Sequence, residues 1–357
     1  MAELRAFVVD HAGAWNAFVE AAPYQSFPQL WEWGELRVPF GWRPVRIGVG
    51  PDPSQAPVAG AQVLLRSVPL IGWRLGYAPR GPIGQLDDPA VRNALFRALR
   101  ALARREGMAT LKVDPEASAD DPFGAALLAP PWRRATRIQP PHTRLIDLRL
   151  PEDELRAALK RKHRQYVNKA ERAGVTVEHL DGRAEPQVVD GALADFYRIY
   201  AHTAERAGFV ARAERYYRRV WELFAATGHA RLAFAALDGQ RVATLFHFTC
   251  GDRAAEAFGG MLDAGAESRA NYLLKWEALR AFRAEGYAVY DMWGLATGGI
   301  AQFKEGFGGR RVEYVGARDL PLRPAPDAAL RVLMPAYGMA QRARLRLSGH
   351  RLAPSDG

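Results

Sequence analysis

The sequence has a single cysteine, Cys250, in 357 residues. One thiol excludes an internal disulfide and any metal centre built on several cysteines, and it leaves no mark of an oxidising compartment. The opening stretch, MAELRAFVVDHAGAW, lacks a basic segment followed by an apolar run, so no signal peptide is expected there. No window approaches the roughly 18 consecutive apolar residues that a membrane-crossing helix needs. Histidines are few and scattered. His163, His202, His229 and His247 show neither nucleophile nor ligand spacing and are expected to be structural, as is Cys250 within an apolar strand. The expectation is a cytoplasmic protein without a metal site.

What is present is the composition of a globular chain, with 48% hydrophobic and 25% charged residues and 9 Trp, 12 Tyr and 16 Phe for packing. Its length suits two domains of ordinary size. The formal net charge of +10 favours an anionic partner such as a nucleic acid, a nucleotide sugar or an anionic membrane face. An Arg- and Ala-rich composition of genomic origin would give the same number, so charge alone does not choose.

A weak internal duplication organises the chain. Ala98-Leu-Arg-Ala-Leu102 followed by Arg104-Arg-Glu-Gly-Met-Ala109 recurs as Ala278-Leu-Arg-Ala-Phe282 followed by Arg283-Ala-Glu-Gly-Tyr-Ala288. In both copies an amphipathic stretch ends at a glycine and runs into a β-like segment, Ala109–Asp114 or Ala288–Trp293. Strand candidates Val58–Leu65 and Arg241–Phe248 lie upstream of the two copies. Two α+β units are therefore expected. Pro140 and Pro141 preclude regular helix and mark the boundary, giving domains at 1–142 and 143–320, with a tail, 321–357, that packs back on the first. After a strand at Thr143–Leu148, one basic amphipathic helix is expected from Glu152 to Ala173, closed by Gly174. Further helices are expected near 187–207, 213–227 and 327–347.

Four segments carry a resemblance. They are Leu159-Lys-Arg-Lys-His-Arg-Gln-Tyr-Val-Asn-Lys-Ala-Glu-Arg-Ala-Gly-Val-Thr-Val177, Thr203-Ala-Glu-Arg-Ala-Gly-Phe209, Tyr290-Asp-Met-Trp-Gly294 and Phe303-Lys-Glu-Gly-Phe-Gly-Gly309. In this order they resemble the motifs of the Fem-type (FemABX) aminoacyltransferases, and Ser26–Arg37 is similar to the family's opening Gln-x-x-x-Trp helix. Arg37 stands where a lysine is common. The resemblance implies two tandem GNAT-like domains and transfer of an aminoacyl group from aminoacyl-tRNA to the stem peptide of a UDP-linked or lipid-linked peptidoglycan precursor. Aminoacyl-tRNA would be the co-substrate, with no further cofactor, and the protein would act as a monomer. Because no long heptad-bearing insertion separates Val177 from Arg231, the compact version without a coiled-coil arm is expected.

By position in these motifs, Lys304 would sit at the reacting carbonyl with Phe303 beside it, and Arg37 and Arg206 would hold the precursor's diphosphate. Asp291 and Trp293 would border the substrate, and Lys160, Arg161 and Arg164 would face tRNA. The chemistry suits these residue types. When an amine attacks an aminoacyl ester, negative charge grows on the carbonyl oxygen, and a fixed ammonium is worth most where that charge develops. Each also has a bland reading: a loop lysine, a helix-end arginine, a strand-end aspartate that caps or pairs. No general base stands out.

Two rival functions remain. An acyl-CoA N-acyltransferase would use Arg/Gln-x-x-Gly-x-Gly/Ala at a helix N-terminus to bind a diphosphate. Literal matches occur at Arg104–Ala109 and Arg283–Ala288, but both are expected to end a helix. A non-catalytic binder of nucleic acid or membrane would use the basic helix and the tail, whose Leu333, Tyr337, Arg342, Arg344 and Arg346 could meet anionic lipid at the inner membrane face.

Overall fold

In a computed structural model, which describes residues 3–68, 72–295, 299–323 and 327, the chain forms two compact units. One is built from residues up to Pro141 and a return from Glu313; the other is His142–Val312. The first unit runs β1 (Arg5–Val8), α1 (Ala12–Ala21), α2 (Trp31–Arg37), β2 (Arg43–Gly50), β3 (Ala59–Ser67), β4 (Arg74–Ala78), β5 (Ile83–Gly84), α3 (Pro89–Arg105), β6 (Met108–Val113), α4 (Pro122–Leu128) and β7 (Arg133–Arg134). The start of α3 is set locally. Asp88 accepts hydrogen bonds from the backbone N–H groups of Ala90 and Val91, and Pro89 supplies a preset first turn. Val91, Leu95, Leu99 and Leu102 form its buried stripe against the sheet.

The second unit continues with β8 (His142–Asp147), α5 (Glu152–Ala158), α6 (Arg161–Arg172), β9 (Thr176–Leu180), α7 (Pro186–Ala207), α8 (Glu214–Ala225), β10 (Ala230–Leu237), β11 (Gln240–Cys250), β12 (Arg253–Met261), α9 (Asp263–Ser268), α10 (Ala270–Ala284), β13 (Val289–Asp291), α11 (Gly299–Glu305) and β14 (Arg310–Glu313). A last strand, β15 (Arg318–Pro321), pairs with β6 and β7 in the first unit. The return therefore begins earlier than the expected residue 321, because the unpaired edge of β6 accepts β15 as its neighbour. The helix expected at 327–347, with Leu333, Tyr337, Arg342, Arg344 and Arg346, lies outside the described residues apart from Asp327.

The duplication is visible as topology. The first sheet has strand order β1-β2-β3-β4-β6-β15-β7, with β5 added beside β3, and the second has β9-β10-β11-β12-β13-β8-β14. The same step is parallel in each, β4 with β6 and β12 with β13, and each parallel pair is joined by a connection carrying the long helix α3 or α10. α3 gives way to β6 at Gly107 (φ +65°) and α10 to β13 at Gly286 (φ +90°), the repeated stop.

The single helix expected over 152–173 is instead two, α5 and α6, parted at Leu159 and Lys160, which are extended. No proline or glycine marks the break. Leu159 is buried, the N–H of Lys160 donates to the carbonyl of Gly306 at 2.9 Å, and Arg164 donates to the carbonyls of Ala157 (3.0 Å) and Leu159. The Lys160 N–H thus takes a tertiary partner in place of a helical one, and the Arg164 side chain satisfies the carbonyls freed beside it. The buried face of α6 is His163, Val167 and Ala170, with Tyr166 half-buried beside it.

Candidate active site

Three of the family-like segments, 159–177, 290–294 and 303–309, meet at the end of β13. Beyond Asp291, Trp293 (φ +43°) and Gly294 (φ +88°) turn the chain sharply. The ammonium of Lys304 donates to the carbonyls of Met292 and, at 2.9 Å, Gly294 on this turn. Lys304 lies in the last turn of α11 rather than in a loop. Burial holds its pKa below the ordinary lysine range, with Glu256 and Asp291 opposing the shift. The result is a desolvated cation fixed by two carbonyl dipoles.

Phe303 packs edge-on against Tyr272 and Phe307, with ring centroids 4.9 and 5.2 Å away, and its carbonyl lies 3.0 Å from Nε2 of His163. Gly306 has a steric reason: a Cβ there would come within 1.9 Å of the His163 ring. The helix-to-strand motif and the Phe-Lys motif, separate in sequence, are thus two sides of one contact.

Asp291 is 1% exposed. Its carboxylate accepts from the Thr143 hydroxyl, the Arg253 guanidinium and, at 2.8 Å, the N–H of Trp293. These donors make it a brace for the turn that holds Lys304.

Sequence reasoning missed a buried cluster beneath this turn. Glu256 on β12 receives Nζ of Lys275 from α10 at 2.7 Å (Oε1) and 2.6 Å (Oε2), and the Tyr290 hydroxyl at 2.7 Å. Nε2 of His247 lies 2.9 Å from the Tyr290 oxygen. Because that hydroxyl donates to Glu256, the network assigns the proton to Nε2 of His247. Burial pushes His247 down to about 3 and Lys275 down to about 8, while the neighbouring Lys275 ammonium keeps Glu256 below its ordinary value against the penalty of burial. His247 is neutral and structural, as expected. Lys275 gave one signal: it sits four and seven residues before Leu279 and Phe282, on the apolar stripe of its helix.

The remaining sequence candidates are dispersed. Arg37, in the first unit, is 5% exposed, with its guanidinium carbon 4.6 Å from the Trp33 ring centre. Its Nε has no hydrogen-bond partner among the described residues. A buried cation in that state favours an anionic ligand. Arg206 is exposed in the last turn of α7, 3.8 Å from Asp263. Lys160 and Arg161 are exposed, whereas Arg164 is occupied by the carbonyls at the α5–α6 break. Both Arg-x-x-Gly-x-Ala matches close helices, so neither presents a helix N-terminus. No described helix is long and apolar enough to cross a membrane. The segment between β9 and β10 folds as α7 and α8, whose Phe196, Tyr217 and Phe224 pack onto the second unit.

Comparison with known proteins follows this division. Residues 12–122, in the first unit, match the model of the FemAB family, and residues 157–305, in the second, match an acetyltransferase (GNAT) domain. A lipid II:glycine glycyltransferase of Staphylococcus aureus is 29% identical over 233 residues, covering 62% of this chain and 53% of that protein. The chain thus spans about half the length of that relative. The crystal structure of FemX superposes with a TM-score of 0.81 at 20% identity, covering 90% of this chain and 98% of that one. A tandem GNAT protein from the clavulanic acid biosynthesis pathway gives 0.52 at 14%, covering 89% and 98%. With two tandem GNAT-like units and the motifs in family order, the chain is similar to Fem-type proteins, and the FemAB family model itself matches residues 12–122.

Proposed function

We propose that the protein moves an amino acid from aminoacyl-tRNA to an amine on the stem peptide of a peptidoglycan precursor. The observation that carries this reading is the half-buried ammonium of Lys304, fixed by two backbone carbonyls in the family's Phe-Lys motif. The amine nitrogen bonds to the ester carbonyl carbon, the carbonyl oxygen takes up the charge, and the bond to the tRNA ribose oxygen then breaks. The proton lost by the amine returns to that ribose oxygen. Lys304 stabilises the intermediate oxyanion, and because its position is fixed beforehand it requires no reorganisation during the reaction.

Arg37, buried with its Nε unpartnered among the described residues, binds a phosphate of the precursor, and the exposed Lys160 and Arg161 contact tRNA. A lipid-linked acceptor is favoured by the name of the Staphylococcus aureus relative. With such an acceptor the reaction would run at the cytoplasmic membrane face. The aminoacyl-tRNA donor is favoured over acyl-CoA because both diphosphate-like sequence matches close helices.

The test supplies radiolabelled aminoacyl-tRNA mixtures with UDP-linked and lipid-linked muropeptides. Label entering an acceptor is expected. Turnover of acetyl-CoA with no transfer from charged tRNA would overturn the reading.

A further inference from the structure

Lysine is rare in this chain: six of the 49 basic residues are lysine and the rest arginine. Two of the six, the buried Lys275 and the half-buried Lys304, lie in the same unit and act on the same short segment. Met292 offers its carbonyl to Lys304, and its sulfur lies 3.6 Å from the Lys275 ammonium. The Lys275 ammonium also lies 5.0 Å from the ring centre of Phe303, the residue preceding Lys304, and 5.6 Å from that of Phe307. Lys275 therefore contacts both the turn that receives Lys304 and the aromatic flank of the helix that carries it.

A lysine in that place needs a counter-charge, and Glu256 supplies it while its second oxygen takes the Tyr290 hydroxyl. Tyr290 lies on β13, the strand that leads into Met292. The pair thus ties β12, α10 and β13 together immediately beneath the lysine turn. Hydrophobic packing would hold these elements at less cost than a fully buried ion pair, which commonly adds little net stability. A pair retained there points to a role beyond stability.

We propose that Lys275 and Glu256 are positioning residues for Lys304: together they fix the Met292–Gly294 carbonyls and the Phe303 flank, and so set where the Lys304 ammonium stands. The inference rests on the proposed role of Lys304 in transfer. The groups facing Lys304 are Glu256 on β12, Asp291 on β13 and, across the aromatic rings, Lys275 on α10. Neither Lys275 nor Glu256 is assigned contact with the substrate.

The experiment replaces the pair together, Lys275→Met with Glu256→Gln, so that no unpaired charge is left buried. It follows Lys304 Nζ by NMR in protein labelled with 15N-lysine, where six signals at most are expected. In the double variant, near-UV circular dichroism stays native, the Lys304 Nζ protons exchange at least about tenfold faster, and single-turnover transfer falls by about 10- to 100-fold with little change in KM. Unchanged exchange, or faster exchange with a transfer rate within about twofold of wild type, would overturn the proposal. If wild type transfers nothing, the proposed function fails, while the exchange measurement still decides whether the pair positions Lys304. Should the double variant not fold, Lys275→Arg serves. It keeps the charge and changes the shape, and a native exchange rate and transfer rate in that variant would overturn the proposal.

Discussion

The two units share a strand order and one parallel step, yet they bury different polar groups. In the first, beside charged groups such as Arg80 and Glu116, two neutral amides tie a loop to the sheet. The side-chain carbonyl of Gln29 accepts the backbone N–H of Gln62 at 2.7 Å, its amide donates to the carbonyl of Pro79 at 2.6 Å, and the Gln62 amide donates to Leu30 at 2.8 Å. These bonds fasten the segment before α2 to β3. In the second, the corresponding depth holds a lysine, a glutamate, a tyrosine and a histidine. One fold thus serves two ends, since neutral amides fix a loop whereas a charged pair both fixes a turn and sets the field around it. The charged pair makes the second unit sensitive to any change that leaves one partner alone.

The largest effect should separate the units by stability. Glu256→Leu strands the Lys275 ammonium, and residues 142–312 should lose about 3–5 kcal/mol of protection in hydrogen exchange while residues 3–141 stay near wild type. Equal losses in both units would show that they do not respond independently. Next, Lys304→Met should lower single-turnover transfer by about 100-fold or more with a smaller change in precursor affinity. A rate within about twofold of wild type would end the oxyanion assignment.

A third test turns on pH in the first unit. Asp114 is raised to about 6, chiefly by burial, with Arg80, whose N–H it accepts at 2.7 Å, opposing the shift. A carboxyl raised in the folded state contributes stability that is present below its unfolded pKa, 3.8, and is lost as pH rises through about 6. Asp114→Asn does not titrate, so the stability of the variant relative to wild type should rise by about 2–3 kcal/mol between pH 4 and pH 7. Denaturant melts across that range check it, and a flat difference would place Asp114 in a better solvated setting. The smallest effects concern affinity. Arg37→Ala should raise the KM for the precursor about tenfold, and Arg206→Ala, already offset by Asp263, by less. The reverse order would give the phosphate to the second unit.

Much of the architecture could be read from periodicity. The α3 and α10 stripes, their glycine stops and the strands that follow were all expected, because each is local and repeated. Helices at 186–207 and 214–225 were equally legible. The break at Leu159–Lys160 was not, since its cause is a hydrogen bond to Gly306, far along the chain. The Phe-Lys motif gave Lys304, but nothing local showed that its ammonium meets the carbonyls of Met292 and Gly294. Lys275 and Glu256 escaped for a related reason: each is a charged letter in an otherwise apolar element, and their meaning exists only as a pair. Arg164 looked like one more cation on a basic helix, and its commitment to two carbonyls depends on the same hidden break.

The place of β15 carries a consequence for how the protein is made. In the second sheet the strand beside β13 is β8, synthesised before the rest of its unit, whereas in the first sheet the matching place beside β6 belongs to β15, synthesised after all of residues 142–312. As the chain leaves the ribosome, the second unit can complete its sheet while β6 still shows a bare edge, open to pairing with another chain. A nascent chain stalled before Arg318 would display that edge.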